Sequence, residues 1–131
     1  MSHCADVVAA AERLSAAFAS RDVAAAMACF VPGDDIGYAG SERTEIATGR
    51  TAVEALFTAV FARHEAYSWR TTSALTQAYG NGVYLFSEAV GTAGIDGGGT
   101  EQFTYRVSGI LERVGDRWLW RHCHGCEPAD R

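Results

Sequence analysis

Two histidines, His122 and His124, stand two residues apart in the stretch Arg117-Trp118-Leu119-Trp120-Arg121-His122-Cys123-His124-Gly125-Cys126. Alternate residues of an extended strand share a face about 7 Å apart, so both imidazoles point to one side. An imidazole exchanges protons near neutral pH, and a second imidazole or a carboxylate can orient it. The pair is either a proton carrier or structural, hydrogen-bonded in a sheet or against a partner chain. Glu88 is the carboxylate to weigh with it. It lies in the apolar run Val83-Tyr84-Leu85-Phe86-Ser87-Glu88-Ala89-Val90, where an unpaired carboxylate is costly. Glu88 therefore faces the surface, pairs with an arginine such as Arg106 or Arg121, or is a pocket acid with a raised pKa. Tyr38 is a candidate hydrogen-bond donor at a pocket mouth. His122, His124, Glu88 and Tyr38 form the candidate catalytic set.

Trp69, Tyr84, Tyr105 and Trp120 supply flat apolar area with a polar handle, and Arg121 lies beside them in sequence. Together they are the candidate binding residues for a small hydrophobic molecule. Core or interface packing is the competing role for each ring. The run His122-Cys123-His124-Gly125-Cys126 offers zinc-ligand types. However, Cys123 and Cys126 fall on opposite faces of a regular strand, and no second CxxC is present. No metal is expected, and a redox pair is disfavoured because the motif does not open a helix.

Composition narrows the classes further. All 11 basic residues are arginine, which excludes Schiff-base chemistry on a lysine side chain. The net charge of −5 comes without a basic run, so neither nucleic acid nor an anionic membrane is an expected partner. Asp96-Gly97-Gly98-Gly99 lacks the strand and helix that flank a nucleotide-binding glycine motif, and no cofactor is expected. The amino terminus does not read as a signal peptide, and no stretch approaches the ~18 apolar residues of a membrane span. A cytoplasmic protein with its cysteines as thiols is expected.

These residues need elements to position them. Val7, Ala11, Leu14 and Phe18 recur at helical spacing and predict a helix from Ala5 to Ser20. Asp22 caps a second, short helix carrying Val23, Met27 and Phe30 inward. A short hairpin is predicted over 34–40 and 43–48. Thr51-Ala52-Val53-Glu54 has capping-box spacing for a third helix with Val53, Leu56, Phe57, Val60, Phe61 and His64 on one face. Strands follow at 68–79 and 83–93 around Gly80-Asn81-Gly82, then a long hairpin from Thr100 to Cys126 turning at Gly115-Asp116. In its first strand Phe103, Tyr105, Val107, Gly109 and Leu111 form an apolar face. In its second, strict alternation places Trp118, Trp120, His122, His124 and Cys126 together. Helices first and strands last predict a single α+β domain over residues 1–131, with helices on one face of a curved antiparallel sheet.

The element order, Ser20-Arg21-Asp22, Phe30, Gly49-Arg50, and above all Arg117-Trp118 through His122, His124 and Glu127-Pro128 resemble the nuclear transport factor 2-like superfamily. Within it the chain is most similar to the SnoaL-like branch. That resemblance implies a cone-shaped sheet around three helices, enclosing a pocket, and homodimers formed through the sheet faces. It does not imply one activity, because the superfamily includes ketosteroid isomerases, polyketide cyclases, hydratases and association domains. Ketosteroid isomerases carry a tyrosine where this chain has Leu14, an aspartate base near Tyr38 or Ala39, and an aspartic acid near Phe103. None of the three matches. The expectation is a small-molecule pocket with cofactor-free isomerase, cyclase or hydratase chemistry. The alternative is a non-catalytic association domain whose Trp118 to Cys126 strand is mainly interface.

Overall fold

The computed structural model describes residues 4–129. Helix α1 spans Cys4–Ser20 and buries Val7, Ala10, Ala11, Leu14, Ala17 and Phe18 as one stripe. Ser15 lies within that stripe and is hydrogen-bonded. Its hydroxyl donates to the Trp69 carbonyl and accepts from the Trp69 amide, both at 2.7 Å. Trp69 lies on the edge strand of the sheet, so Ser15 satisfies backbone groups that would otherwise have no partner.

Helix α2, Val23–Met27, is capped as its sequence predicts: the Asp22 carboxylate accepts from the Ala25 amide at 3.0 Å. Helix α3, Arg50–Phe61, departs from the capping-box expectation. It starts one residue before Thr51, at a Gly49 N-cap with φ of 89° and no side-chain cap of its own. Asp34, from the loop before the first hairpin, accepts from the Arg50 amide instead, at 2.8 Å. A carboxylate is well placed there, because the first turn of a helix carries unpaired N–H groups and positive partial charge.

The strands are β1 (Gly37–Ala39), β2 (Ile46–Thr48), β3 (Glu65–Tyr79), β4 (Gly82–Ile95), β5 (Thr100–Val114) and β6 (Arg117–Cys126). They form one curved, open sheet in the order β2-β1-β6-β5-β4-β3. The four long strands run antiparallel, as predicted, whereas β1 adds to β6 in parallel. The helices cover the concave face. Phe57, Leu14, Leu85, Leu111 and Trp120 are fully buried between the layers.

The alternation predicted for β6 fails at Arg121. Ile110 pairs with His122 while Leu111 pairs with Trp120, so Arg121 is an extra residue in the ladder. Because side chains alternate with period two, one inserted residue exchanges the faces beyond it. Trp120 points into the core with 0% exposure, and after the bulge Cys123 does so with 1%. His122 and His124 therefore leave the face of Trp118 and Trp120 and stand on the outer face, His122 exposed and His124 half-buried. Among the described residues no helix is long and apolar enough to cross a membrane.

Candidate functional site

A cavity of about 180 Å³ lies between α1, the end of α3, the β1–β2 loop and the concave face of the sheet. Its inner wall is aromatic. Phe18 meets Trp69 edge-on at 5.3 Å, Trp69 lies 6.0 Å from Tyr105, and Phe103 meets Tyr105 edge-on at 5.6 Å. Two glycines on neighbouring strands make that arrangement possible. A Cβ on Gly91 would lie 2.2 Å from the Phe103 ring, and one on Gly125 would lie 2.1 Å from the Tyr105 hydroxyl.

Tyr38, from β1, completes the inner wall. Burial pushes its phenol well above the usual range, with Tyr105, Cys123 and Glu45 adding to the shift. Burial likewise raises Tyr105, followed by the influence of Cys123 and Glu45. Both phenols therefore keep their protons and act as hydrogen-bond donors across the physiological pH range.

The polar side of the cavity is built around Glu45, which has 8% exposure in the β1–β2 loop. The Glu42 amide donates to Glu45 Oε1 at 3.0 Å, and Arg63 of the α3 terminus approaches Oε2 at 3.3 Å. Arg63 also pairs with Glu42. Gly40 leaves the space this carboxylate fills, since a Cβ there would lie 2.5 Å from Oε1. Burial holds the Glu45 carboxyl above its ordinary range. The Glu42 amide and Arg63 oppose that effect, and the Glu42 carboxylate adds to it. Sequence reading missed Glu45. It sits in the polar run Ser41-Glu42-Arg43-Thr44-Glu45, which carries no periodic signal, and only tertiary packing covers it.

Glu45 makes a sign-specific prediction. Its folded pKa exceeds the unfolded value of 4.5, so the fold binds this proton more tightly than the unfolded chain. The corresponding stability is present below that value and declines as pH rises through the folded pKa. Glu45→Gln should therefore gain stability relative to the wild type at neutral pH, and the difference should close in acid. Denaturant unfolding at about pH 4 and about pH 7 reads this directly. A Gln variant that is less stable than the wild type at pH 7 but not at pH 4 would mean that the Arg63 pair outweighs burial.

The cavity brings together Tyr38, Trp69 and Tyr105 from the residues singled out in the sequence. The others lie elsewhere. Glu88 pairs with Arg106 at 2.8 Å across the exposed face of β4 and β5. Tyr84 stacks on Phe86 at 6.2 Å on that same face. Trp120 is core. Arg121 grips Glu112 through two hydrogen bonds of 2.9 and 2.7 Å, which holds the Glu112 carboxyl below the usual range. His122 and His124 stand outside the cavity, and burial followed by the proximity of His124 lowers the pKa of His122. Among the described residues no group of three or more histidine, cysteine or acidic side chains is placed to hold a metal ion.

Residues 7–130 match the family model of the SnoaL-like domain. The chain belongs to the SnoaL-like family. Solved structures with the same fold include a candidate dehydratase of the nuclear transport factor 2-like family from Streptomyces avermitilis. That protein aligns with a TM-score of 0.80 and 14% identity over 96% of each chain. A candidate calcium/calmodulin-dependent protein kinase II association domain from Xanthomonas campestris aligns with a TM-score of 0.79 and 14% identity, over 95% of this chain and 87% of that one. A candidate scytalone dehydratase from Novosphingobium aromaticivorans aligns with a TM-score of 0.75 and 11% identity, over 97% and 88%. At such identities the SnoaL-like chain shares their fold alone. No curated protein matches it.

Proposed function

We propose that this SnoaL-like domain holds a small, largely apolar molecule in its cavity and acts on it by cofactor-free acid/base chemistry of the isomerase, cyclase or hydratase type. The observation that carries this reading is the convergence of one buried carboxylate, Glu45, and two protonated phenols, Tyr38 and Tyr105, on a single aromatic-walled space. A carboxyl whose pKa is raised by burial is suited to exchanging a proton with a bound molecule. Phenol donors fixed in a water-poor wall stabilise negative charge that develops on a ligand oxygen. Glu45 has the acid/base role here. Tyr38 and Tyr105 are the donors, and Trp69, Phe18 and Phe103 hold the apolar body. The names given to the Streptomyces and Novosphingobium proteins agree with elimination or addition of water as one such reaction.

Size limits the ligand. An apolar cavity of roughly 150 Å³ accepts one benzene molecule, so a space of about 180 Å³ suits a single ring. Benzyl alcohol is the test probe, followed through the indole N–H signal of Trp69. Its addition should shift that signal, and Tyr105→Phe should weaken binding roughly tenfold by removing one buried hydrogen bond. Saturating benzyl alcohol and related single-ring compounds that leave the Trp69 and Tyr105 signals unmoved would remove the reading.

A second reading concerns the outer sheet face and is compatible with the first. Leu75 and Phe86 pair across β3 and β4, with exposures of 74% and 51%. The same row of the sheet continues through Ser108, His124 and Ala39 to Ile46, which is 73% exposed. A row that crosses all six strands and is apolar at Leu75, Phe86, Ala39 and Ile46 fits a second copy of the chain laid face to face. The association-domain name of the Xanthomonas protein points the same way.

A further inference from the structure

The cavity has an asymmetry in charge that its size and apolar walls do not explain. Its interior is ringed by Phe18, Tyr38, Trp69, Phe103 and Tyr105, while its polar side carries three carboxylates, Glu42, Glu45 and Glu127, against one guanidinium, Arg63. Arg63 is already shared between Glu42 and Glu45. Among the described residues no cation pairs with Glu127. Phe18, Tyr38 and Trp69 are each less than 10% exposed, whereas Glu42 and Glu127 are exposed, so the aromatic part is the floor and the acidic part the rim.

Resting on the pocket reading above, we propose that the cavity selects a compact organic ammonium ion, with its apolar body on the aromatic floor and its charged group at the carboxylate rim. The faces of aromatic rings carry negative charge density and attract a cation within about 6 Å, most strongly where water is excluded. A buried carboxylate gains most from a counter-charge in a low-dielectric site, and Glu45 has only half of one guanidinium. An anionic ligand would instead add its charge to three carboxylates, and a neutral one would cover Glu45 without compensating it. The burial that raises the Glu45 pKa is consistent with this deficit of positive charge.

Three probes of one shape and different charge test the proposal: benzylammonium, benzyl alcohol and benzoate. Each is titrated into the intact protein at neutral pH and low salt, with the Trp69 indole signal as readout. Benzylammonium should bind roughly tenfold more tightly than benzyl alcohol, the gain expected from a partly desolvated cation over aromatic faces and near carboxylates. Benzoate should bind most weakly. Glu45→Gln, shown to be folded by its NMR spectrum, should lower the ratio of benzylammonium affinity to benzyl alcohol affinity, both measured on the variant. If benzyl alcohol or benzoate binds as tightly as benzylammonium, the charge selection is overturned and the pocket reading stands. If none of the three moves the Trp69 signal, the pocket reading falls and this proposal falls with it.

Discussion

Gly109→Ala is expected to lower stability by about 4 kcal/mol, a large share of the 5–15 kcal/mol that holds a typical domain together. Two costs combine. Gly109 adopts a φ of 150°, a region that side chains rarely enter, and occupying it costs roughly 1–3 kcal/mol. The added Cβ would also lie 2.0 Å from the His122 carbonyl oxygen and 2.9 Å from its carbon. That oxygen belongs to the backbone of a central strand and cannot swing aside like a flexible side chain, so overpacking adds roughly 1–3 kcal/mol. The melting temperature should fall by roughly 10 °C or more, read by circular dichroism. Gly97→Ala is the control. It shares a positive φ, 71°, but its Cβ would meet nothing within 4 Å, so only the conformational cost, about 1 kcal/mol, applies. Equal losses in the two variants would show that the contact with His122 does not matter.

The same glycine marks the boundary of what the sequence makes legible. Helix α1 and the long hairpin announce themselves through apolar spacing, because Val7, Leu14 and Phe18 must share a buried stripe and Val107 and Leu111 a buried face. The bulge at Arg121 carries no such mark. Trp120, Cys123 and His122 are each compatible with either face, and one unpaired residue reverses them without changing any local propensity. Gly109 inside a strand was the one available hint, since interior glycines often accompany bulges and close backbone approach. Asp34 capping α3 from 16 residues upstream, and Glu45 buried beneath Arg63, depend on contacts between distant segments. A reading of neighbouring residues does not contain them. Tyr38, Trp69 and Tyr105 line the cavity while Trp120 is core and Tyr84 lies on the outer face, because a large aromatic residue in a half-buried strand goes to core, pocket or interface and its type does not choose among them.

Phe86→Arg is expected to disrupt the face-to-face dimer proposed above, with its dissociation constant rising at least about a hundredfold. His122 and His124 turn outward onto this face. With the bulge in place, the outer face presents Leu75, Phe86, Tyr84, Ile110 and Ile46 around two imidazoles, and partial desolvation followed by His124 lowers the pKa of His122. A face that carries these apolar side chains, on a sheet whose concave side already holds the core, is suited to cover by another surface. Under two-fold symmetry each substitution acts twice, once from each copy. Removing one Phe side chain from a buried contact forfeits roughly 1.5–3 kcal/mol. Arginine at this position also brings a charge beside Leu75, and Glu88, two residues along the same strand face, is already paired with Arg106. The fold should survive, because Phe86 is 51% exposed and outside the core. Analytical ultracentrifugation across a concentration series, with unfolding measured in parallel, separates lost association from lost structure. A wild-type protein that sediments as a monomer at every concentration would overturn the face-to-face pairing of two copies.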